Sequence, residues 1–224
     1  MLGHRGDRAH HPDNSAAAFT AALEAGADGV ELDVRATADG RLAVHHDAAI
    51  EGLGVIAELS REALPPGILD LVAALDTCAG MGVNIEIKAN PTEPDAATAP
   101  WLAEQVVELV TTRGLEAWVV VSSFSLATID RVHELAPAIP TGWLTAHGYD
   151  HTKAVGTAAD RGHVALHPYF TGVTEELVAA AHEAGLALAT WTVDDPDTLR
   201  RFAAWGVDAV ICDDPAAALA VLRG

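Results

Sequence analysis

Short apolar runs alternate along this chain with longer amphipathic ones. Segments 27–34 (ADGVELDV), 83–88 (VNIEIK), 117–123 (AWVVVSS), 139–145 (IPTGWLT), 163–168 (HVALHP), 186–193 (LALATWTV) and 208–213 (DAVICD) predict strands. Between them, segments such as NSAAAFTAALEAG, DLVAALDTCAG, APWLAEQVVELVTTRG, LATIDRVHELAP, TEELVAAAHEAG, DTLRRFAAWG and PAAALAVLRG repeat apolar positions at helical spacing. Several of these stop at Gly or Pro, and Pro12 followed by Asn14 or Ser15 supplies an N-cap for the first helix. With residues 1–5 taken as a short first strand, the chain reads as eight strand–helix units. Such alternation requires a parallel sheet, and eight units close a (β/α)8 TIM barrel; an open doubly wound sheet is the alternative. The piece GRLAVHHD (40–47), which opens on the Asp39-Gly40 turn signal, is an extra extended segment outside the eight. No linker, repeat or low-complexity tract divides residues 1–224, so one domain is expected.

Composition narrows the picture. Half of the 224 residues are hydrophobic but only 5% are aromatic, so Ala, Val and Leu must do most of the packing. The formal net charge is −19, from 13 basic against 32 acidic residues, which argues against nucleic acid or an anionic membrane as the main partner. One anionic small molecule held by a local cation stays compatible with it. Cys78 and Cys212 sit in apolar runs, which predicts buried, inert thiols rather than a disulfide. With no leader before His4 and no uninterrupted apolar stretch of roughly 18 residues, a cytoplasmic chain without membrane insertion is expected. The oligomeric state is not set by these features.

The candidate chemistry sits at strand ends, which face the active site in such barrels. Glu31 and Asp33 are two residues apart, so both carboxylates project from one face while Leu32 and Val34 project from the other. Glu86 and Lys88 repeat the arrangement, with Ile85 and Ile87 opposite. Alone, the Glu31-Leu32-Asp33 triplet is explained by a salt bridge or a solvent-facing strand end. Three inward carboxylates converging with Lys88 instead point to a hard divalent cation held by oxygen. His4-Arg5 and His46-Asp47 fall at predicted strand ends as well. His4 and His46 are candidates for proton transfer and Arg5 for gripping phosphate oxygens. Strand alternation does not decide between His45 and His46. Of the other histidines, His10, His11, His133, His147, His151, His163 and His182 read as surface residues. Phe124 reads equally as a wall of the site or a core aromatic, and His167 lies at the end of the sixth strand.

Taken in order, HRG, PDNS, GADGVELDV, DG, HHD, NIEIK, TWTVD and WGVDAVICDDP closely resemble the glycerophosphodiester phosphodiesterase family. The likeness is dense through residue 47, good at 83–88 and 186–215, and thin between. It implies a TIM barrel that hydrolyses glycerophosphodiesters to glycerol 3-phosphate and an alcohol with one divalent ion, Mg²⁺ or Ca²⁺ (Mn²⁺ as a further option). By the same resemblance Glu31, Asp33 and Glu86 are the metal ligands, and His4 and His46 are the general acid and base. Arg5 and Lys88 then bind phosphate, and Trp191 borders the glycerol. The family route has the glycerol 2-hydroxyl attack first, giving a cyclic phosphate that water opens. Three departures stand out. Asp13 and Ser15 occupy positions where the family usually has Glu and Thr, and Asp194 follows TWTV where Asn is frequent. The insertion after the second strand, with residues 48–67 as a reduced cap, is shorter than the family's, which leaves a more open pocket. Alternatives weighed beside this reading are a lysophospholipase D-type hydrolase of the same fold, a non-catalytic phosphate-binding barrel, and a His-X-His metallohydrolase. The first would use the apolar residues Ile50, Leu53, Val55 and Ile56 as a lipid groove, unless these simply pack on the barrel.

Overall fold

The computed structural model describes residues 1–224. In chain order the elements are β1 (Leu2–His4), α1 (Ala16–Ala25), β2 (Gly29–Ala36), β3 (Leu42–Val44), the hairpin strands β4 (Ala49–Ile50) and β5 (Gly54–Val55), and α2 (Leu71–Thr77). They continue with β6 (Gly82–Ile87), α3 (Ala99–Arg113), β7 (Val119–Ser123), α4 (Leu126–Leu135), β8 (Thr141–Thr145) and α5 (His151–Asp160). The last are β9 (Ala165–Pro168), α6 (Glu175–Glu183), β10 (Ala187–Thr190), α7 (Pro196–Trp205), β11 (Ala209–Cys212) and α8 (Pro215–Arg223). Eight strands pair in parallel in the order β1-β2-β6-β7-β8-β9-β10-β11, and β1–β11 pairing closes the barrel. The short β1 is therefore held along both edges. β3 lies antiparallel on β2, outside the eight.

Local chemistry sets the helix ends. Ser15, Asp70, Ser125, Thr174, Asp195 and Asp214 each accept a backbone N–H of the first turn that follows. Gly26, Gly114 and Gly206 end α1, α3 and α7 in the left-handed conformation that a Cβ disfavours. Outside the barrel wall, Leu32, Val34, Ile85 and Ile87 pack with Phe19, Leu71 and Leu102 of the helices. Each such side chain contributes about 1.5–3 kcal/mol by leaving water. A register slip of one residue would put Glu31 and Asp33 into that layer, so the apolar face dictates that the carboxylates point inward.

Several details differ from the pattern-based expectations. α5 was not among the helical patterns singled out, because its buried face offers only His151, Ala154, Val155 and Ala158. β7 begins at Val119, leaving Ala117 and the exposed Trp118 outside the strand. His151 and His163 are buried, not on the surface: Thr145 meets His151 Nδ1 at 3.0 Å, and Thr141 meets His163 Nδ1 at 2.9 Å. In the 48–67 segment, Ile56 and Leu64 bury themselves against Ala43, with Ile50 packed beside them, and Leu53 stays exposed. No helix is long and apolar enough to cross a membrane.

Candidate active site

Register brings the carboxylates together. His4 lies beside Glu31 across the β1–β2 ladder, and Glu31 lies beside Asn84 and Asp33 beside Glu86 across β2–β6. Inward side chains two residues apart then stack as two levels at the carboxyl end of the barrel. Ligand-capable oxygens of Glu31, Asp33 and Glu86 all fall within 4.8 Å of one another, and all three residues are buried. They line, or directly adjoin, a cavity of about 180 Å³ formed by residues that include His4, Arg5, His46, Lys88, Phe124 and Trp191.

Charge inside this cluster is unevenly compensated. Lys88 Nζ reaches Glu86 at 2.8 Å and Asp33 at 3.3 Å, and Arg5 Nε lies 3.1 Å from Asp33. Burial pushes the Asp33 carboxyl up, but Lys88 and Arg5 outweigh it and hold the group below the usual range, helped by an Asn14 Nδ2–H that donates to Asp33 at 2.9 Å. Glu86 stays raised because burial outweighs Lys88. Glu31 is left with the least. It accepts the Arg5 backbone N–H at 3.1 Å, and its Oε1 is buried with no partner. Burial first, and repulsion from Asp33 and Glu86 next, push its carboxyl well above the ordinary value. Burying an unpaired ion costs several kcal/mol, so three carboxylates facing two cations leave a deficit that an oxygen-seeking divalent cation would relieve. The donor set fits such an ion.

Both histidines of the cavity are oriented by a carboxylate. His4 Nδ1–H donates to Asp213 Oδ1 at 2.7 Å, and His46 Nδ1–H donates to Asp47 Oδ1 at 2.6 Å. Because a carboxylate only accepts, each contact places the proton on Nδ1 and leaves Nε2 as the free ring nitrogen. The Nε2 of His4 lies 3.9 Å from Glu31 Oε2. Burial, with Lys88 and Arg5 adding to it, pulls the His46 pKa down against the opposing pull of Asp33. Of the two neighbours, His46 lines the cavity, whereas His45 Nδ1–H turns back to the Asp47 carbonyl at 2.9 Å.

Trp191 follows β10 and donates its Nε1–H to the His167 carbonyl at 3.0 Å. Phe124 meets it edge to face, with ring centroids 5.5 Å apart, and is partly exposed in the cavity, so it is a wall residue and not a core aromatic. Tyr169 extends the aromatic wall at 5.1 Å from Trp191. The sequence departures have partners too. Asp13 accepts from Arg5 Nη1 at 3.0 Å, and Asp194 Oδ1 accepts the Asp213 N–H at 2.7 Å. Asp194 thus sets the loop that presents Asp213 to His4. Burial outweighs those N–H contacts and raises the Asp194 carboxyl.

Pattern reading missed Asp213, Asn84 and Arg35. Asn84 precedes Glu86 by two and Arg35 follows Asp33 by two, so strand parity is the signal that could have found both. Nothing local flagged Asp213, whose partner is 209 residues away.

Comparison with known proteins gives the arrangement its lineage. The family model described as the glycerophosphoryl diester phosphodiesterase family matches residues 4–217. A glycerophosphodiester phosphodiesterase of Caldanaerobacter subterraneus subsp. tengcongensis is 30% identical over 100% of this chain and 97% of its own length. A protein of the same name from Bacillus altitudinis is 31% identical over 96% of this chain and 94% of its own. Among solved structures, a glycerophosphodiester phosphodiesterase from Thermotoga maritima superposes with a TM-score of 0.81 at 27% identity, over 98% of this chain and 96% of that one. A phosphodiesterase from Oleispira antarctica, solved with sn-glycerol-3-phosphate, shares the fold with a TM-score of 0.88 at 20% identity, over 100% of this chain and 96% of that one. Matched along nearly its whole length, the chain belongs to the glycerophosphoryl diester phosphodiesterase family.

Proposed function

We propose that this chain, as one barrel unit with residues 48–67 as a reduced cap, hydrolyses glycerophosphodiesters to glycerol 3-phosphate and an alcohol. The observation that carries the reading is the one cavity lined by His4, Arg5, Glu31, His46, Glu86, Lys88 and Trp191. Glu31, Asp33 and Glu86 would hold one divalent ion, Mg²⁺ or Ca²⁺. When bound, that ion supplies positive charge against the phosphoryl oxygens. Lys88 is a buried and Arg5 a half-buried cation, and their charge is already in place when the phosphorus passes through its more highly charged pentavalent state. One histidine Nε2 takes the proton of the attacking hydroxyl as its oxygen bonds to phosphorus. The other histidine gives a proton to the departing alcohol oxygen as its bond to phosphorus breaks. Asp213 and Asp47 hold the two rings in the tautomer that keeps Nε2 available. The Trp191–Phe124 wall offers an apolar face for the glycerol carbons.

The test is a matrix of glycerophosphocholine, glycerophosphoethanolamine and a simple aryl phosphodiester against Mg²⁺, Ca²⁺ and Mn²⁺. Glycerol 3-phosphate is expected from at least one glycerol substrate, with loss of product in chelator. No metal-dependent product from any combination would overturn the reading.

A further inference from the structure

Arg35 lies on β2, two residues beyond Asp33, and is fully buried. Its Nε–H and an Nη2–H both donate to the His46 backbone carbonyl, at 2.8 and 2.5 Å. The remaining donors reach the loop after β6: Nη1–H to Asp95 at 2.7 Å and Nη2–H to Glu93 at 2.9 Å. His46 itself follows the end of β3 and has no backbone hydrogen bond to the barrel; the neighbouring His45 N–H donates to the Asp33 carbonyl. The His46 ring is anchored by Asp47, which is exposed. Arg35 is thus the interior fastening of the main chain that carries this ring. A buried ion pair is a weak source of stability, and an apolar side chain of similar volume would fill the same space. What a planar guanidinium adds is direction, because its donors fix two loops in one plane.

We propose that Arg35, backed by Glu93 and Asp95, is a positioning residue that sets where the His46 imidazole stands against the phosphate, and so acts on turnover through His46 alone. The proposal rests on the reading of His46 as a proton-transfer group, and the experiment separates the two. Arg35→Lys keeps the charge but replaces the fork with a point donor. Turnover should fall roughly tenfold to a hundredfold, the scale of a misplacement near 1 Å, with KM within about twofold. Divalent-cation affinity measured by calorimetry should also stay within about twofold, because the carboxylates are untouched. In a His46→Ala background the same substitution should cost nothing further, since its target is gone. An equal loss with and without His46, or a parallel loss of cation affinity, would overturn the proposal. If Arg35→Lys does not fold, Glu93→Gln at the partly exposed rim takes its place, with a smaller kcat loss that again vanishes without His46. Backbone order and line widths at His46 and Asp47, read by NMR relaxation on the ligand-free protein, need no turnover. Greater backbone motion there in the variant supports positioning even if wild type cleaves no glycerophosphodiester, an outcome that would sink only the functional reading. Unchanged motion overturns the positioning role itself.

Discussion

His167 offers the sharpest quantitative test of the interior. It sits on β9 with its ring beside Gly142 of β8, is buried, and has an Nδ1 with no hydrogen-bond partner. Burial drives its pKa from 6.5 down to about 4. In the unfolded chain the same imidazole is solvated and titrates normally. Between those two values the unfolded state holds more protons than the native state, so stability falls as pH falls through that window. At about 1.36 kcal/mol per unit, the limiting loss is about 3 kcal/mol; at pH 5, integration of the two titrations gives about 2 kcal/mol. His167→Leu removes the titration while keeping a side chain of similar size. Urea unfolding of both proteins at roughly pH 7 and pH 5 isolates the effect, because carboxylates common to both cancel in the difference. The wild type should lose about 2 kcal/mol more than the variant between the two pH values. Parallel losses would refute the argument and mean that His167 is hydrated or hydrogen-bonded inside the barrel.

Asp213→Asn removes the carboxylate that fixes the His4 tautomer, so kcat should fall roughly a hundredfold to a thousandfold. Unfolding free energy should change by no more than about 1 kcal/mol, because the Asp213 side chain is partly exposed. Turnover within about twofold of wild type would contradict the role given to the His4–Asp213 pair. Burial pushes the thiols of Cys78 and Cys212 up to about 12. Ellman's reagent should therefore detect neither in the native protein and both after denaturation. Native-state labelling of either would show that its pocket opens.

Much of this protein is written in its local pattern. Alternating short apolar runs and amphipathic helices dictate a parallel sheet, their count of eight points to a barrel over an open doubly wound sheet, and the closed eight-strand sheet is what forms. Strand parity sends Leu32, Val34, Ile85 and Ile87 to the helices, which sends Glu31, Asp33 and Glu86 inward. That inference needs only the two-residue period and the cost of burying charge among aliphatic side chains. The choice between His45 and His46 was not local, because a short segment leaving β3 follows no fixed alternation; Arg35 and the Asp33 carbonyl decide its path. Asp213 and Asp194 gain their meaning only when β11 closes on β1, which brings opposite ends of the chain together. His151 and His163 read as surface residues because polarity is visible in a sequence, whereas the Thr145 and Thr141 hydroxyls that meet their Nδ1 atoms inside are contributed by β8. Periodicity sets which way a side chain faces from its own strand. Which partner meets it there depends on register and closure, and those are settled only by the packing of the whole barrel.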